Sequence, residues 1–164
     1  MKKENIYLHE IRPENEDSVL DILTSDIVKQ TYMLPDYEYR EAALPQFHRL
    51  MELSKDNKRY VRGIYLDTKL IGFLNDVENK NQIIELGYAV HPDFHGQGYM
   101  TAALKLAIDE LFKIGYRQII TGAFEQNRAS IRVMEKAGMS RLDKIDLIEY
   151  RGRTHECVYY HTVK

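Results

Sequence analysis

The feature that most constrains the fold is an apolar strand that leads through a glycine-containing loop directly into a helix. Residues 83–90 are apolar at nearly every position, which predicts a strand that is covered on both faces. The loop at 91–98 contains glycines at 96 and 98, and from Tyr99 apolar residues recur every three or four positions. A strand, loop and helix in this order predict an α/β domain.

The remaining periodicities complete the order of elements. Strands are predicted at 6–11, 59–66, 69–77, 83–90, 118–124, 142–150 and 154–163, and helices at 18–28, after Pro45, at 99–114 and at 128–137. This order, β-α-α-β-β-β-α-β-α-β-β, describes a mixed central sheet of about seven strands with helices on both faces. The chain contains no internal repeat and no linker-like stretch, so we expect a single domain over 1–164.

Composition narrows the possible partners and the compartment. The 164 residues include 23 Lys and Arg against 25 Asp and Glu, so bulk charge gives no reason to bind nucleic acid or an anionic membrane. Cys157 is the single cysteine, which excludes an intramolecular disulfide and fits a reducing compartment. Lys2 and Lys3 are not followed by the apolar run of a signal peptide, and the sequence contains no apolar stretch of membrane-spanning length. We therefore expect a cytoplasmic protein.

The glycine loop has the composition of a phosphate-binding site. Glycine lets the backbone turn tightly and approach a ligand, and a helix start presents N–H groups at the positive end of its dipole. A dinucleotide-binding fingerprint would require a third glycine or alanine where this chain has Thr101, and the Gly-Lys-Ser/Thr of a P-loop is absent from the sequence. The residues alone leave a second interpretation open, in which the glycines only form a tight turn that caps the helix.

Residues 85–139 resemble the GNAT superfamily of N-acetyltransferases, and most closely its RimJ/RimL branch of ribosomal-protein alanine acetyltransferases. The first motif is Asp93-Phe94-His95-Gly96-Gln97-Gly98, followed by Tyr99-Met100-Thr101, and the second runs from Asn127-Arg128-Ala129-Ser130 to Ala137-Gly138-Met139. Asp93 departs from the basic or amide residue that usually opens the first motif. The order of elements also matches the family fold, so the resemblance covers nearly the whole chain.

The resemblance implies transfer of an acetyl group from acetyl-CoA to a primary amine, on a protein N-terminus or a small molecule, by direct attack on the thioester. The backbone N–H groups expected to hold the pyrophosphate of CoA belong to His95, Gly96, Gln97, Gly98, Tyr99 and Met100. The strand at 83–90 is expected to splay from that at 118–124, with pantetheine in the gap. The expected oxyanion donor is a backbone N–H of Tyr88, Ala89 or Val90.

Two further residues are assigned to the cofactor by the same resemblance. Asn127 matches the position that bonds the pantetheine arm, although its place before a helix is equally that of an N-cap. Arg132, which lies four residues before Lys136 on one helix, could reach the 3′-phosphate of CoA. Charged residues at this spacing more commonly form a solvated face, and we favour that interpretation.

Glu85 and Ser130 are the candidate catalytic residues. Glu85 interrupts an apolar strand, where burial would raise its pKa toward the range of a general base, but a structural carboxylate fits the position as well. Ser130 matches a serine proposed to act on the thiol in RimL-like members, and it also fits a first-turn residue that bonds the backbone. Met134 stands where many members have an acidic tyrosine. A thiolate can also leave without an acid, because a thiol pKa lies near 8.5.

The acceptor side is expected near the first helices and the last hairpin. Aromatic residues from Tyr32 to Tyr39 alternate with Asp36 and Glu38, which suits a cationic amine, although these tyrosines equally fit simple packing. No metal site is expected, since no second Cys/His cluster accompanies Cys157 and its neighbouring histidines. A non-catalytic acyl-CoA-binding module is the alternative to an enzyme. The sequence does not decide between a monomer and a homodimer.

Overall fold

A computed structural model describes residues 5–164, and residues 1–4, including Lys2 and Lys3, lie outside the described residues. The strands are β1 (Ile6–His9), β2 (Val61–Leu66), β3 (Lys69–Lys80), β4 (Ile83–Val90), β5 (Gln118–Phe124), β6 (Ser140–Tyr150) and β7 (Arg153–Val163). They form one sheet in the order β1-β2-β3-β4-β5-β7-β6. Each neighbouring pair of these strands is antiparallel except β4 and β5, which run parallel. The predicted mixed sheet is confirmed.

The helices follow the predicted order with one difference. They are α1 (Glu16–Leu23), α2 (Asp26–Lys29), α3 (Leu44–Leu53), α4 (Tyr99–Ile114) and α5 (Arg128–Lys136). The prediction of one helix over 18–28 was wrong, because the chain breaks between α1 and α2. Thr24 donates its hydroxyl to Leu20 O, and Ser25 accepts from Val28 N as the N-cap of the next helix. These hydroxyls compete with the continuous helical ladder.

Two hydrophobic cores cover the two faces of the sheet. One core joins α4 and α5 to the sheet through residues such as Leu104, Met134 and Leu86. The other joins α1 and α3 to the opposite face through residues such as Leu20, Phe47 and Phe73. Side chains of a strand alternate between the faces, so β4 supplies both cores. Helices on both faces were predicted and are confirmed.

None of the helices in residues 5–164 is long and apolar enough to cross a membrane.

Candidate active site

The centre of the sheet opens where β4 and β5 stop pairing. Their register runs from Ile83 opposite Gln118 to Leu86 opposite Thr121. Beyond that point β4 continues to Val90 and β5 to Phe124 without pairing to each other. The predicted splay of these strands is therefore confirmed, and it creates a gap in the sheet between 87–90 and 122–124.

The peptide groups of β4 that face the gap can be identified from the adjoining ladder. His91 N donates to Ile71 O over 2.8 Å, which turns the peptide group of His91 toward β3. Backbone groups alternate in direction along a strand, so Ala89 also faces β3, while Tyr88 and Val90 face the gap. Of the three residues whose N–H was expected to stabilise the oxyanion, Ala89 is therefore excluded, because its N–H points into the ladder with β3.

The loop between β4 and α4 depends on two glycines with left-handed backbone angles. Gly96 has φ +71° and Gly98 has φ +83°, and a Cβ built on either would meet nothing within 4 Å. Glycine is therefore required at both positions for its backbone angle and not for lack of space, and the space beside the loop is open. Gly98 is the N-cap of α4 and brings no side-chain acceptor to the N–H groups of the first turn. This geometry suits an anion such as the pyrophosphate of CoA.

His95 has a different part in the loop from the one expected. Its N–H donates to Pro92 O over 3.2 Å, and its Nε2 lies 2.7 Å from Val90 O. Both interactions hold the loop against the end of β4, so the N–H of His95 is not available to a phosphate. Gln97 also braces the loop, because its side-chain amide donates to Asp93 O over 3.1 Å. Of the backbone expected to hold a phosphate, residues 96–100 therefore remain as candidates.

Asn127 and Ser130 lie together at the start of α5. Asn127 is the N-cap, and its Oδ1 accepts from Ser130 N over 3.2 Å. The N-cap interpretation of Asn127 is confirmed, and the cap uses Oδ1 and not the amide nitrogen. The Oγ of Ser130 lies 2.5 Å from the phenol oxygen of Tyr88, which reaches across from β4.

The side chain of Tyr88 is a candidate functional group that the sequence reasoning missed. The sequence indicates a role only for its peptide group, as an oxyanion donor. The alternation along β4 nevertheless places the side chain of residue 88 on the same face as Leu86, toward α5. Burial raises the pKa of Tyr88 to about 12, while the hydrogen bond with Ser130 lowers it. Met134, which occupies the position of the usual family tyrosine, is fully buried in the core.

Glu85 lies on the opposite face of β4 and is half-buried. It pairs with Glu78 on β3 and with Ile120 on β5, one position before the strands part. Burial is the main cause that raises the pKa of Glu85, the charge of Lys144 lowers it, and the charges of Glu78 and Asp146 raise it. The predicted direction of this pKa shift is confirmed, and the role of general base stays a prediction.

A second polar cluster on this face was not foreseen from the sequence. Tyr159 donates its phenol to Asp146 Oδ2 over 2.8 Å, and the ring lies against Gly122, where a Cβ would approach it within 2.8 Å. The ammonium of Lys144 lies 4.4 Å from the centre of that ring and 3.8 Å from Asp146 Oδ2. A register shift of β6 between 141 and 145 brings Lys144 to this place. Only the pairing of β6 with β7 reveals this arrangement.

The aromatic segment that begins at Tyr32 is held in place by a hydrogen bond, ring packing and ion pairs. Tyr32 donates to Asn75 Oδ1 over 2.6 Å, and its ring meets Phe73 edge-on. Asp36 lies 3.3 Å from the ammonium of Lys29 and 3.3 Å from the guanidinium of Arg151. These contacts fit the packing interpretation of the segment, and its role as the wall of an acceptor site stays a prediction.

Arg132 is exposed on α5, as is Lys136, which agrees with the solvated face favoured from their spacing. Over residues 5–164 no group of three His, Cys, Asp or Glu side chains is arranged to hold a metal ion.

Comparison with known proteins identifies the family. Residues 5–140 match the model of the acetyltransferase (GNAT) domain. The chain belongs to the GNAT acetyltransferase family. The likeness to curated relatives agrees with this: the chain is 27% identical to the probable N-acetyltransferase YjcK of Bacillus subtilis (strain 168), over 86% of this chain and 83% of that protein. It is 28% identical to the putative ribosomal N-acetyltransferase YdaF of the same strain, over 77% of this chain and 69% of YdaF.

A solved structure shows the same fold. The ribosomal L7/L12 α-N-protein acetyltransferase RimL, determined in complex with coenzyme A, matches 96% of this chain and 93% of its own with a TM-score of 0.83 at 19% identity. This GNAT protein is therefore an acetyltransferase that uses acetyl-CoA as co-substrate and transfers the acetyl group to an amine. Of the two function classes that the sequence left open, the enzyme is the correct one.

Proposed function

We propose that the gap between β4 and β5 is the place of acetyl transfer, with acetyl-CoA entering from the face of α4 and α5 and the amine from the face of Glu85. The observation that carries this proposal is the end of strand pairing at Leu86 and Thr121. The two sides of the opening carry different chemistry: a glycine loop and helix starts on one, and a half-buried carboxylate on the other. The whole chain, 1–164, acts as one catalytic domain in the cytoplasm.

The face of α4 and α5 is the proposed cofactor side. The backbone of residues 96–100 holds the pyrophosphate, and a peptide N–H of Tyr88 or Val90 donates to the thioester oxygen as negative charge develops on it. Asn127 contributes its amide nitrogen to the pantetheine arm, because its oxygen is used by the helix cap. Ser130 lies at the same helix start and is the group assigned to the sulfur. Arg132 is placed at the outer end of the cofactor, where a single exposed cation contributes little to affinity.

Glu85 is the proposed general base. An amine must lose a proton to attack a thioester, and a carboxylate whose pKa is raised by burial accepts a proton better than an ordinary one. The carboxylate lies on a strand at the edge of the gap, so its position is set by the sheet and not by a loop. It takes the proton from the amine directly or through one water molecule.

The proposed acceptor is a cationic primary amine, and a protein N-terminus is the first candidate. Glu85, Glu78 and Asp146 outnumber the cation Lys144 on the acceptor side. This excess of carboxylates attracts an ammonium group before it is deprotonated. The names of YdaF and RimL, which refer to ribosomal proteins, support a protein α-amine over a small molecule.

The decisive experiment measures release of free CoA from acetyl-CoA with a panel of amines, which includes peptides with free or blocked N-termini. We expect release with free N-termini and none with the blocked peptides. Glu85→Gln should lower kcat by about 100-fold or more at neutral pH, within the range that general base catalysis contributes. Glu78→Gln is the matched control, since it removes a neighbouring carboxylate that pairs with Glu85 but leaves the proposed base in place. It should lower kcat far less than Glu85→Gln does, and its main effect should fall on the KM of the amine.

Binding of acetyl-CoA is measured in parallel by thermal unfolding. A ligand at 100 times its Kd stabilises a protein by about 2.7 kcal/mol, which raises the melting temperature by a few degrees. Glu85→Gln should preserve this shift. If Glu85→Gln released CoA as fast as the wild type, the base assignment would be wrong. If acetyl-CoA did not raise the melting temperature of the wild type, the cofactor site would be refuted.

A further inference from the structure

We propose that Tyr88 is a positioning residue that directs the hydroxyl hydrogen of Ser130 toward the sulfur of acetyl-CoA. The phenol donates to Ser130 Oγ, and the proton of Ser130 is thereby left to point into the gap. This inference rests on the proposed function, which assigns Ser130 to the sulfur.

The geometry ties the two residues closely. The phenol oxygen of Tyr88 lies 2.5 Å from Ser130 Oγ and 3.4 Å from Ser130 O. The cap by Asn127 fixes the backbone of Ser130 through its N–H. Both residues stand at the opening of the sheet, because β4 stops pairing with β5 two positions before Tyr88. The contact therefore joins β4, where the gap opens, to the start of α5.

The acceptors that face the phenol set the direction of its hydrogen bond. The carbonyl oxygen of Ser130, which can only accept, lies 3.4 Å from the phenol oxygen of Tyr88, and Ser130 Oγ lies 2.5 Å from it. The phenol carries a single proton, so that proton is directed toward these two oxygens of Ser130. When the phenol donates to Ser130 Oγ, the hydroxyl proton of Ser130 is left for the sulfur.

The hydrogen bonds from Tyr88 through Ser130 stabilise the thiolate without protonating it. During transfer the bond from nitrogen to the carbonyl carbon forms, the bond from that carbon to sulfur breaks, and the electron pair stays on sulfur. The proton lost by the amine goes to Glu85. Tyr88 keeps its proton up to a pKa of about 12, well above that of a thiol near 8.5, so it remains a donor throughout the reaction. The thiolate takes its proton from solvent after it leaves.

This arrangement gives the chain another way to supply a hydrogen bond where Met134 replaces the usual tyrosine. Met134 is fully buried and carries no donor. Tyr88 reaches the same helix, α5, from the neighbouring strand and acts through the first-turn serine. A phenol on β4 and a hydroxyl on α5 together present one donor to the sulfur.

The test uses Tyr88→Phe, Ser130→Ala and the double variant. Each single substitution should lower kcat by about 10- to 100-fold, the range expected when one hydrogen bond to a developing charge is lost. The KM for acetyl-CoA should stay unchanged, and the double variant should be no slower than the slower single variant, because the two residues act as one unit. Tyr160→Phe is the matched control: Tyr160 also joins α5, through a bond of 3.3 Å to Glu135, and its loss should leave kcat unchanged.

A second readout needs no acceptor. The pKa of the thiol of bound CoA is measured from the ultraviolet absorbance of the thiolate, with the wild type and each variant saturated with CoA. The wild type should lower this thiol pKa relative to free CoA, and both single variants should raise it back by a similar amount. If the thiol of bound CoA had the same pKa in the wild type and in Tyr88→Phe, the inference would be overturned even if the enzyme acetylates an amine. A lowered thiol pKa that Tyr88→Phe abolishes would support it even if no amine of the panel is acetylated.

Discussion

At the scale of single residues, the proposed role of Glu85 as general base predicts how activity depends on pH. Burial raises the pKa of this carboxyl, and the nearby charge of Lys144 opposes the shift. A base must be deprotonated, so activity is lost as the pH falls through this pKa. A change that raises the pKa therefore moves the acidic limb of the pH profile to higher pH.

We accordingly expect Lys144→Met to move the acidic limb of kcat/KM upward in pH. The substitution removes the cation that favours the charged form of Glu85, and methionine keeps much of the aliphatic length over the ring of Tyr159. The measurement is a pH profile with one fixed acceptor, because the ionisation of the acceptor is then common to both enzymes. Asp146→Asn removes a carboxylate that raises the same pKa, and it should move the limb downward. Shifts of the same sign in both variants would refute the electrostatic explanation.

At the scale of elements, the start of α4 is governed by backbone conformation. Gly98 has φ +83°, and a Cβ there would meet no atom within 4 Å. We expect Gly98→Ala to destabilise the protein by about 1 kcal/mol for the left-handed angle alone, since no clash adds to the cost. It should also weaken binding of acetyl-CoA, because a relaxed loop turns the N–H groups of 96–100 away from the phosphate.

Gly115 provides the control for this prediction. It ends the same helix with φ +124°, and a Cβ there also meets nothing within 4 Å. Gly115→Ala should therefore cost at least as much stability, because φ +124° lies further from the left-handed region that L residues tolerate, while leaving the affinity for acetyl-CoA unchanged. Chemical denaturation and calorimetric titration measure the two quantities. Equal affinities of the two variants would show that the backbone angle at Gly98 has no part in binding.

The elements were largely predictable from the sequence, and the contacts between distant elements were not. The bounds of β4, β5 and α4 follow from local periodicity and glycine, and they agree with the prediction. The break at Ser25 was missed because a capping hydroxyl competes with an apolar helical pattern that continues past it. The contact of Tyr88 with Ser130 spans 42 positions, and no periodicity encodes a partner at that distance.

At the scale of the whole molecule, the face proposed for the acceptor carries a contact between the segment after α2 and the C-terminal hairpin. Tyr150, at the tip of the β6–β7 hairpin, accepts from Leu34 N over 3.0 Å and lies 3.0 Å from Leu34 O as donor. Leu34 belongs to the segment after α2, and Asp36 reinforces the contact through Arg151. The hairpin and this segment thus hold each other over the face that carries Glu85.

We therefore expect Tyr150→Phe to lower kcat/KM for the acceptor while the affinity for acetyl-CoA stays the same. The substitution leaves the ring but removes the hydroxyl, so the segment at 32–34 loses its hydrogen bonds to Tyr150 and keeps only the ion pair of Asp36 with Arg151. The loss of such hydrogen bonds should also cost about 1 kcal/mol of stability. Steady-state kinetics with varied acceptor, beside titration with acetyl-CoA, separates the two effects.

Tyr116→Phe controls for the loss of stability alone. Tyr116 accepts from Asn79 over 2.6 Å and follows the end of α4, so its phenol also joins distant parts of the chain. It lies beyond Gly115, at the end of α4 opposite the glycine loop, so its removal should leave both substrates unaffected. If Tyr116→Phe changed acceptor kinetics as much as Tyr150→Phe, general loosening of the fold would explain both. A defect confined to Tyr150→Phe would instead show that the hairpin and the segment after α2 shape the acceptor site together, although 116 positions separate Tyr150 from Leu34.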